Sequence, residues 1–525
     1  MPVIAGRLVT LLVVLLMAGC ASTLPPRAGQ APSHALVAPA GAPLTDVGVQ
    51  LGLDAGATAA WPLPEAAFAL DARLASIEHA TTSVDLQTYL VADDRTGHQV
   101  LRALRDAANR GVRVRLLVDD IYTAGLDPLL VGLASHANVE VRLFNPFVAG
   151  RASTTQRLFA LLWDLHRLDH RMHNKLFVAD GALAIVGGRN VADEYFLRSR
   201  IGNFFDLDLL IVGALVPELS ASFDRYWNSE QAYDVHSIVA ATRTVEAAPA
   251  ELRAEFERRT SSDTPADPAP PADLFGAVAF SRQLESGRFR FIRVLAASTL
   301  ADPPEKASPD AKPAELATLW TRYLARISEA RSEAILFSPY FVPNEEAMQH
   351  LRELRAREVS VRVTTNSLAV SDEPLTTIAL ERHQRELLTI GVDLYELSSQ
   401  QLHLDTRLRT LLGSSIGRLH AKLGIIDRRF VYVGSLNLDG RSAAINTEIG
   451  VRVDSAEIAA MILHAFRVEQ AIGVVRVRLA SDGRLAWSVL DAAGHEQTLE
   501  REPEGSWWRR LRLRLLALFV PEHEL

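Results

Sequence analysis

Two short stretches of this 525-residue chain carry the same polar residues at the same spacing. His173, Lys175 and Asp180 form H-x-K-x4-D, and so do His420, Lys422 and Asp427. The agreement continues downstream: Gly187 and Gly434 each lie 14 residues after their histidine (187 − 173 and 434 − 420), and Asn190 and Asn437 each lie 17 after (190 − 173 and 437 − 420). In a β-strand residues i and i+2 share a face, so each histidine stands beside its lysine. If the two stretches face each other about a pseudo-twofold axis, two imidazoles, two ammonium groups and two carboxamides converge on one concave site. Such a cluster is cationic and rich in donors. It has no cysteine pair, no H-E-x-x-H and no carboxylate cage, so it suits a phosphate diester better than a metal, and no metal or cofactor is expected.

Displacement at phosphorus needs in-line attack, neutralisation of the non-bridging oxygens and protonation of the leaving oxygen. One histidine can attack while the other donates a proton to the departing alcohol and later takes one from the incoming alcohol. Lys175, Lys422, Asn190, Asn437 and Ser435 would hold the phosphate oxygens. Histidine fits because its unperturbed pKa of about 6.5 lets acid and base forms coexist near neutrality. Each imidazole also needs a partner on its second nitrogen. Asp206 in NFFDLDLLIVG and Glu448 in INTEIGVRV are the candidates, since both follow a motif and enter a β-rich run. Asp180 and Asp427 are grouped with the site by the motif, but an Asp at a strand end is expected to form a turn.

The elements that must position these residues are themselves repeated. The first half reads SVDLQTYL, a helical segment, RGVRVRLLVDD, NVEVRLFNP, HNKLFVAD and AIVGGRN; the second reads AILFSPYF, a helical segment, REVSVRVTTNS, GVDLYELSS, HAKLGIID and VYVGSLN. Short β-rich runs alternate with helical stretches, which predicts an α/β fold of two pseudo-twofold-related halves, each with a largely parallel sheet flanked by helices. Breaks in the hydrophobic pattern divide the chain. Residues 1–20 read as a signal segment, 21–60 as a flexible tether and 61–258 as the first half. A Pro-rich connection follows over 259–320, then the second half over 321–470, then a C-terminal extension with an amphipathic helix over 471–525.

Lys plus Arg is 55 against 63 for Asp plus Glu, a net charge of −8, so no nucleic-acid partner is expected. The duplicated motif with its following Gly-(Gly/Ser)-x-Asn resembles the phospholipase D superfamily over roughly residues 84–453. That resemblance implies a phosphohistidine on the first-half histidine, His173, with His420 as acid and base; spacing alone does not separate the two roles. The strings RLFNPF, RLDHRMHNKLFVADG, SPYFVP, TTNSLA, RELLTIGVDLYEL and YWNSE resemble bacterial cardiolipin synthases, which implies phospholipid substrates and phosphatidyl transfer between them. Hydrolysis by the same site, as in a phospholipase D, is the alternative, and a nuclease-type phosphodiesterase is a more distant one. Glu358 stands in the second half where the first has Gly111.

Two further features point to a membrane surface as partner. The only cysteine, Cys20, follows Arg7 and the apolar run Leu8 to Met17, a layout similar to a bacterial lipoprotein signal. By that resemblance Cys20 is the lipidated first mature residue of an envelope protein facing the periplasm, and Ala21 after it implies passage to the outer membrane. At the other end a helical wheel sets Trp507, Trp508, Leu511, Leu515, Leu518 and Phe519 on one face and Arg509, Arg510 and Arg514 on the other, with Arg512 at the flank. That pattern fits an interfacial helix or a terminal helix packed on the domain.

Overall fold

In each half three strands are joined by helices and run parallel. They are Ser83–Thr88, Arg113–Asp119 and Val139–Phe144 in the first half, and Glu333–Phe337, Ser360–Asn366 and Asp393–Leu397 in the second. The connecting helices Arg95–Asn109 and Glu345–Ala356 begin at side-chain caps: Asp94 accepts from the Gly97 N–H and Asn344 from the Ala347 N–H. They end where the chain turns through a left-handed residue. Gly111 (φ 95°) does this in the first half, and Glu358 (φ 62°) adopts the same region in the second without the glycine. The computed structural model describes residues 24–521 except 28–29, 243, 246, 262–268, 313–315, 469, 471, 491–494, 506 and 518–519. Cys20 and the run before it, and Leu518 and Phe519 of the expected C-terminal helix, lie outside the described residues.

The motif strands follow a different rule. Leu176–Ala179 pairs antiparallel with Leu183–Gly187, and Lys422–Ile426 with Phe430–Gly434. Each hairpin closes through two successive left-handed residues, Asp180 and Gly181 (φ 55° and 60°) or Asp427 and Arg428 (φ 51° and 51°). That geometry belongs to tight hairpin turns, which cannot join parallel strands. The duplicated α/β organisation stands, but the nine- and ten-stranded sheets are mixed rather than largely parallel. Strand composition reports burial, whereas direction depends on whether a helix or a tight turn intervenes.

The sheets pack face to face through Leu183–Gly187 and Asp208–Gly213 on one side and Phe430–Gly434 and Ile449–Asp454 on the other. One buried core runs through both, including Ile185, Ile211, Val433 and Val451. A second, containing Leu336, Val363 and Leu394, lies within the second half.

Three expected boundaries shift. Part of the tether is bound to the first half: Ala35 N–H donates to Asp224 at 2.8 Å, Ala38 N–H to the Asp180 carbonyl at 2.9 Å, and Pro43–Gln50 is helical. Polar partners far along the chain hold this Pro- and Ala-rich segment, so local composition does not reveal them. The connection also supplies an edge strand to each sheet, Ile292–Arg293 beside Ala59–Ala60 and Ala296–Ala301 beside Ile449–Asp454. The C-terminal strands Val474–Leu479, Leu485–Leu490 and Glu496–Leu499 extend the second sheet, so that half runs past residue 470. No helix among the described residues is long and apolar enough to cross a membrane.

Candidate active site

The halves exchange backbone pairing immediately before each motif. Ile416–Leu419 runs parallel to Gly202–Phe205, and Met172 bridges Thr447. The Phe205 carbonyl therefore accepts the His420 N–H at 2.8 Å, and the Thr447 carbonyl accepts the His173 N–H at 2.9 Å. The residue after each of those carbonyls is a carboxylate, Asp206 and Glu448. Each histidine is thereby delivered to the carboxylate of the opposite half.

The side chains complete the exchange. His173 Nδ1 is 3.1 and 3.0 Å from the two carboxylate oxygens of Glu448, and His420 Nδ1 is 2.7 Å from Asp206 Oδ2. Carboxylates accept, so the Nδ1 protons are fixed and the Nε2 atoms carry the lone pairs. Both histidines line one cavity of about 460 Å³, together with Asn190 and Asn437. Lys422 Nζ donates to His420 Nε2 at 3.0 Å and to the His420 carbonyl at 2.8 Å, while Lys175 Nζ donates to the His173 carbonyl at 2.7 Å. The pseudo-symmetry is therefore broken at the nitrogens: Lys422 occupies His420 Nε2.

Burial, with Lys175 and Lys422 adding to it, holds both imidazoles well below the usual histidine range, so both are neutral bases in the free site. Burial also lowers both lysines, Lys422 to about 8, and pushes Glu448 up to about 7 against the pull of Lys175. A phosphodiester anion placed among these groups would relieve the repulsion between them.

The two asparagines carry Oδ1 atoms without a partner among the described residues, and Asn190 Nδ2 donates to the Tyr195 hydroxyl at 2.8 Å. Turning the Asn190 amide by 180° keeps that contact, with the hydroxyl donating, and frees Nδ2 for an anion. Ser435 is placed otherwise than expected. Its hydroxyl donates to a Glu448 carboxylate oxygen and accepts the Ile449 N–H at 3.0 Å, so it is committed to orienting Glu448. Ser442 supports the other Glu448 oxygen at 2.8 Å. Asp180 and Asp427 also leave the catalytic group. Asp180 takes the N–H groups of Thr81, Thr82 and Ser83, and Asp427 those of Arg331, Ser332 and Glu333. Their carboxylates are saturated by backbone at the hairpin turns, where they tie each motif hairpin to the start of the half's first parallel strand.

Tyrosines escaped the sequence reading. Tyr89 packs edge-on to His173 with ring centroids 4.9 Å apart, Tyr195 does the same to His420 at 5.0 Å, and Phe204 flanks His420 at 4.8 Å. Lys175 Nζ lies 5.1 Å from the Tyr89 ring centroid and Lys422 Nζ 5.8 Å from that of Tyr340. Tyr89 and Tyr340 stand just past the first repeated strand of each half, in SVDLQTYL and AILFSPYF, so comparing the repeats beyond the motif could have found them.

Gly188 occupies the place of Ser435 in the first half, and a Cβ there would sit 2.2 Å from Asp206 Oδ1. Asp206 is one carbon shorter than Glu448 and reaches His420 only by lying over a bare backbone. Gly188→Ala is expected to push Asp206 away and lower kcat/KM by roughly 10- to 100-fold, the usual loss when a histidine-orienting partner is disturbed. Steady-state assays beside a thermal melt check this; unchanged activity would show that the Asp206 contact is dispensable.

The sequence profile described as "Cardiolipin synthase, PLD-like domain" matches residues 74–227 and 323–468, the two segments that carry the paired motifs. Cardiolipin synthase C of Escherichia coli strain K12 is 34% identical over 472 residues, covering 88% of this chain and 95% of that protein. A cardiolipin synthase of Staphylococcus aureus is 25% identical over 418 residues, covering 79% and 68%. Among solved structures, phosphatidylserine synthase of Haemophilus influenzae Rd KW20 superposes with a TM-score of 0.53 at 12% identity, over 89% of this chain and 95% of that one. That likeness speaks to the fold, two halves related by duplication. The chain belongs to the cardiolipin synthase family of phospholipase D-like proteins and is an enzyme of the phosphatidyltransferase and phosphodiesterase type.

Proposed function

We propose that the protein transfers a phosphatidyl group from one phospholipid to a hydroxyl of another, as a cardiolipin synthase does, through a covalent intermediate on His173. The observation that carries this reading is the reciprocal pairing of each histidine with the opposite half's carboxylate, which presents both imidazoles to one cavity. His173 Nε2 attacks phosphorus because it is the imidazole nitrogen that no lysine occupies. The bond to the departing alcohol breaks, and His420 supplies that oxygen's proton. A bound anion raises the proton affinity of His420, and Lys422 holds a proton 3.0 Å from its Nε2. In the second half-reaction neutral His420 takes the proton of the acceptor hydroxyl, whose oxygen displaces His173.

The cavity mouth favours a lipid over a nucleic acid. Among the described residues that line the cavity Arg441 is the one arginine, and it pairs with Asp169 at 2.7 Å beside Glu194, Asp372, Glu373 and Asp439. The lining therefore offers no run of cations for the successive phosphates of a polyanion but accommodates one phosphodiester with a polyol or amine headgroup. The test incubates purified protein with labelled phosphatidylglycerol, with and without phosphatidylethanolamine, and separates the products. Cardiolipin supports transfer, phosphatidic acid alone would assign hydrolysis, and no lipid product would end the reading. Cys20, as the lipidated residue, would hold the enzyme at the periplasmic side of the envelope.

The lysines give the pH profile an alkaline limb. Lys422 is held to about 8, so kcat/KM is expected to fall as pH rises through about 8, when the charge facing the phosphate is lost. The sign for stability is opposite. A lysine whose folded pKa lies below its unfolded value opposes folding while both forms are charged, and that penalty fades between about 8 and 10.4. Activity should therefore decline on the alkaline side without a matching loss of thermal stability. Lost activity that tracks unfolding would remove the assignment to Lys422.

A further inference from the structure

The C-terminal helix Trp507–Leu516 is docked through its charged side. Arg510 and Arg514 pair with Glu381 at 3.0 and 2.6 Å, and Leu513 and Ala517 pack with Leu368, Leu375 and Ile378. Trp507, Trp508, Leu511 and Leu515 are left 63%, 71%, 39% and 55% exposed. At about 100° per residue these four fall within one stripe about 100° wide. A terminal helix that served only to cover the domain would turn this stripe inward.

The stripe stands beside the site. The helix rests on Pro374–Leu380, and the chain leading into and through that segment lines the cavity with Asp372, Glu373 and Thr376. Tyr122 and Leu165, which belong to the first half, line the same cavity and are 49% and 56% exposed; Leu158, on the helix of Leu165, is 60% exposed. Large apolar side chains are thus presented on two elements of the first half that line the cavity and on a helix packed against the second-half segment that lines it. The C-terminal helix also carries four arginines and no acid, in a chain of net charge −8, and Arg512 is exposed at the flank of the stripe.

We propose that this rim is a membrane-docking surface: Trp507, Trp508, Leu511 and Leu515 enter the interfacial layer of an anionic bilayer, with Tyr122 and Leu165 at the other lip. The cavity then opens onto the lipid. Exposed tryptophan beside leucine, with arginine at the flank, is the chemistry of the headgroup–acyl boundary, because indole has an apolar body and a polar N–H and arginine meets lipid phosphate. The proposal rests on phospholipid as substrate, since it assigns the rim the task of bringing lipid to the histidines.

The test places the full chain in phosphatidylcholine–phosphatidylglycerol vesicles containing acyl-brominated lipid and follows tryptophan emission. Bromolipid should quench the wild type, and Trp507→Phe/Trp508→Phe, compared in a Trp163→Phe background, should lose more than half of that quenching; Trp61, Trp227, Trp320 and Trp487 are buried. Equal quenching in both proteins, or none in the wild type, overturns the proposal. A second arm uses Trp507→Ser/Trp508→Ser/Leu515→Ser. Turnover of vesicle lipid should drop about tenfold while turnover of monomeric dihexanoyl phosphatidylglycerol stays within twofold. Equal losses on both substrates overturn the docking role. If the wild type turns over neither substrate, the catalytic reading fails while the quenching arm still decides the surface. A dimer that these substitutions dissociate, without quenching, would assign the stripe to a second copy of the chain and overturn the bilayer.

Discussion

His173→Ala and His420→Ala are each expected to lower kcat/KM by about 10³-fold or more, and the double variant to be little worse than either. Acid–base and nucleophilic partners acting on one phosphorus work as a unit, so removing one leaves the other without its task. The fold should survive. Glu448 keeps Ser435 and Ser442 on its two oxygens when His173 is lost, whereas Asp206 keeps the Leu207 N–H at 2.7 Å on Oδ1 and gives up the contact on Oδ2 when His420 is lost, so His420→Ala is expected to melt below His173→Ala. Circular dichroism and a melt of each variant separate chemistry from stability. Substantial turnover in either folded variant would end the two-histidine mechanism. The singles should also differ from each other. His173→Ala has no nucleophile and forms no adduct, whereas His420→Ala retains the nucleophile and forms the adduct slowly.

The second largest effect is expected from Glu448→Gln and Asp206→Asn, at roughly 10²-fold. These changes keep shape and remove charge. An amide can turn its N–H₂ toward Nδ1, which makes Nδ1 the acceptor and moves the imidazole proton to Nε2. In Glu448→Gln that blocks the lone pair on His173 that must meet phosphorus, so adduct formation fails. In Asp206→Asn it sets a protonated His420 Nε2 against the Lys422 ammonium 3.0 Å away and removes the base needed for the acceptor alcohol, so adduct breakdown suffers more than its formation. Rapid-quench kinetics distinguishes the two. Equal, modest losses in both steps would reduce the carboxylates to packing roles.

The repeat in H-x-K-x4-D and Gly-x-x-Asn was legible because duplication preserves offsets, although the histidines stand just before the strands Leu176–Ala179 and Lys422–Ile426 and not within them. The carboxylates were legible from a looser signal, each standing at the entry of a β-run after its motif, 33 and 28 residues past the histidine (206 − 173 and 448 − 420). Which histidine each would serve was not. His173 and Glu448 are 275 residues apart, and His420 and Asp206 are 214 apart, joined by a parallel exchange between halves that leaves no local trace. Ser435 was misread because position alone cannot show that a hydroxyl is already spent on a neighbouring carboxylate. Gly188, where the first half has no side chain, becomes intelligible only once Asp206 lies 2.2 Å from the missing Cβ. Strand direction was misjudged because the hairpin turns use Asp-Gly in one half but Asp-Arg in the other, and only the first is a recognisable turn signal. Tyr89, Tyr195 and Tyr340 looked like ordinary aromatic residues of strands and turns until the cavity gathered them.

The most direct measurement mixes enzyme with phospholipid labelled at phosphorus, quenches the reaction within the first turnover and maps any covalent label by mass spectrometry. A phosphatidyl group on His173, absent from His173→Ala and persisting longer in His420→Ala, is the result expected of two imidazoles sharing one phosphorus. Full turnover with no adduct at any time in the wild type, or an adduct on a residue outside the paired motifs, would contradict it.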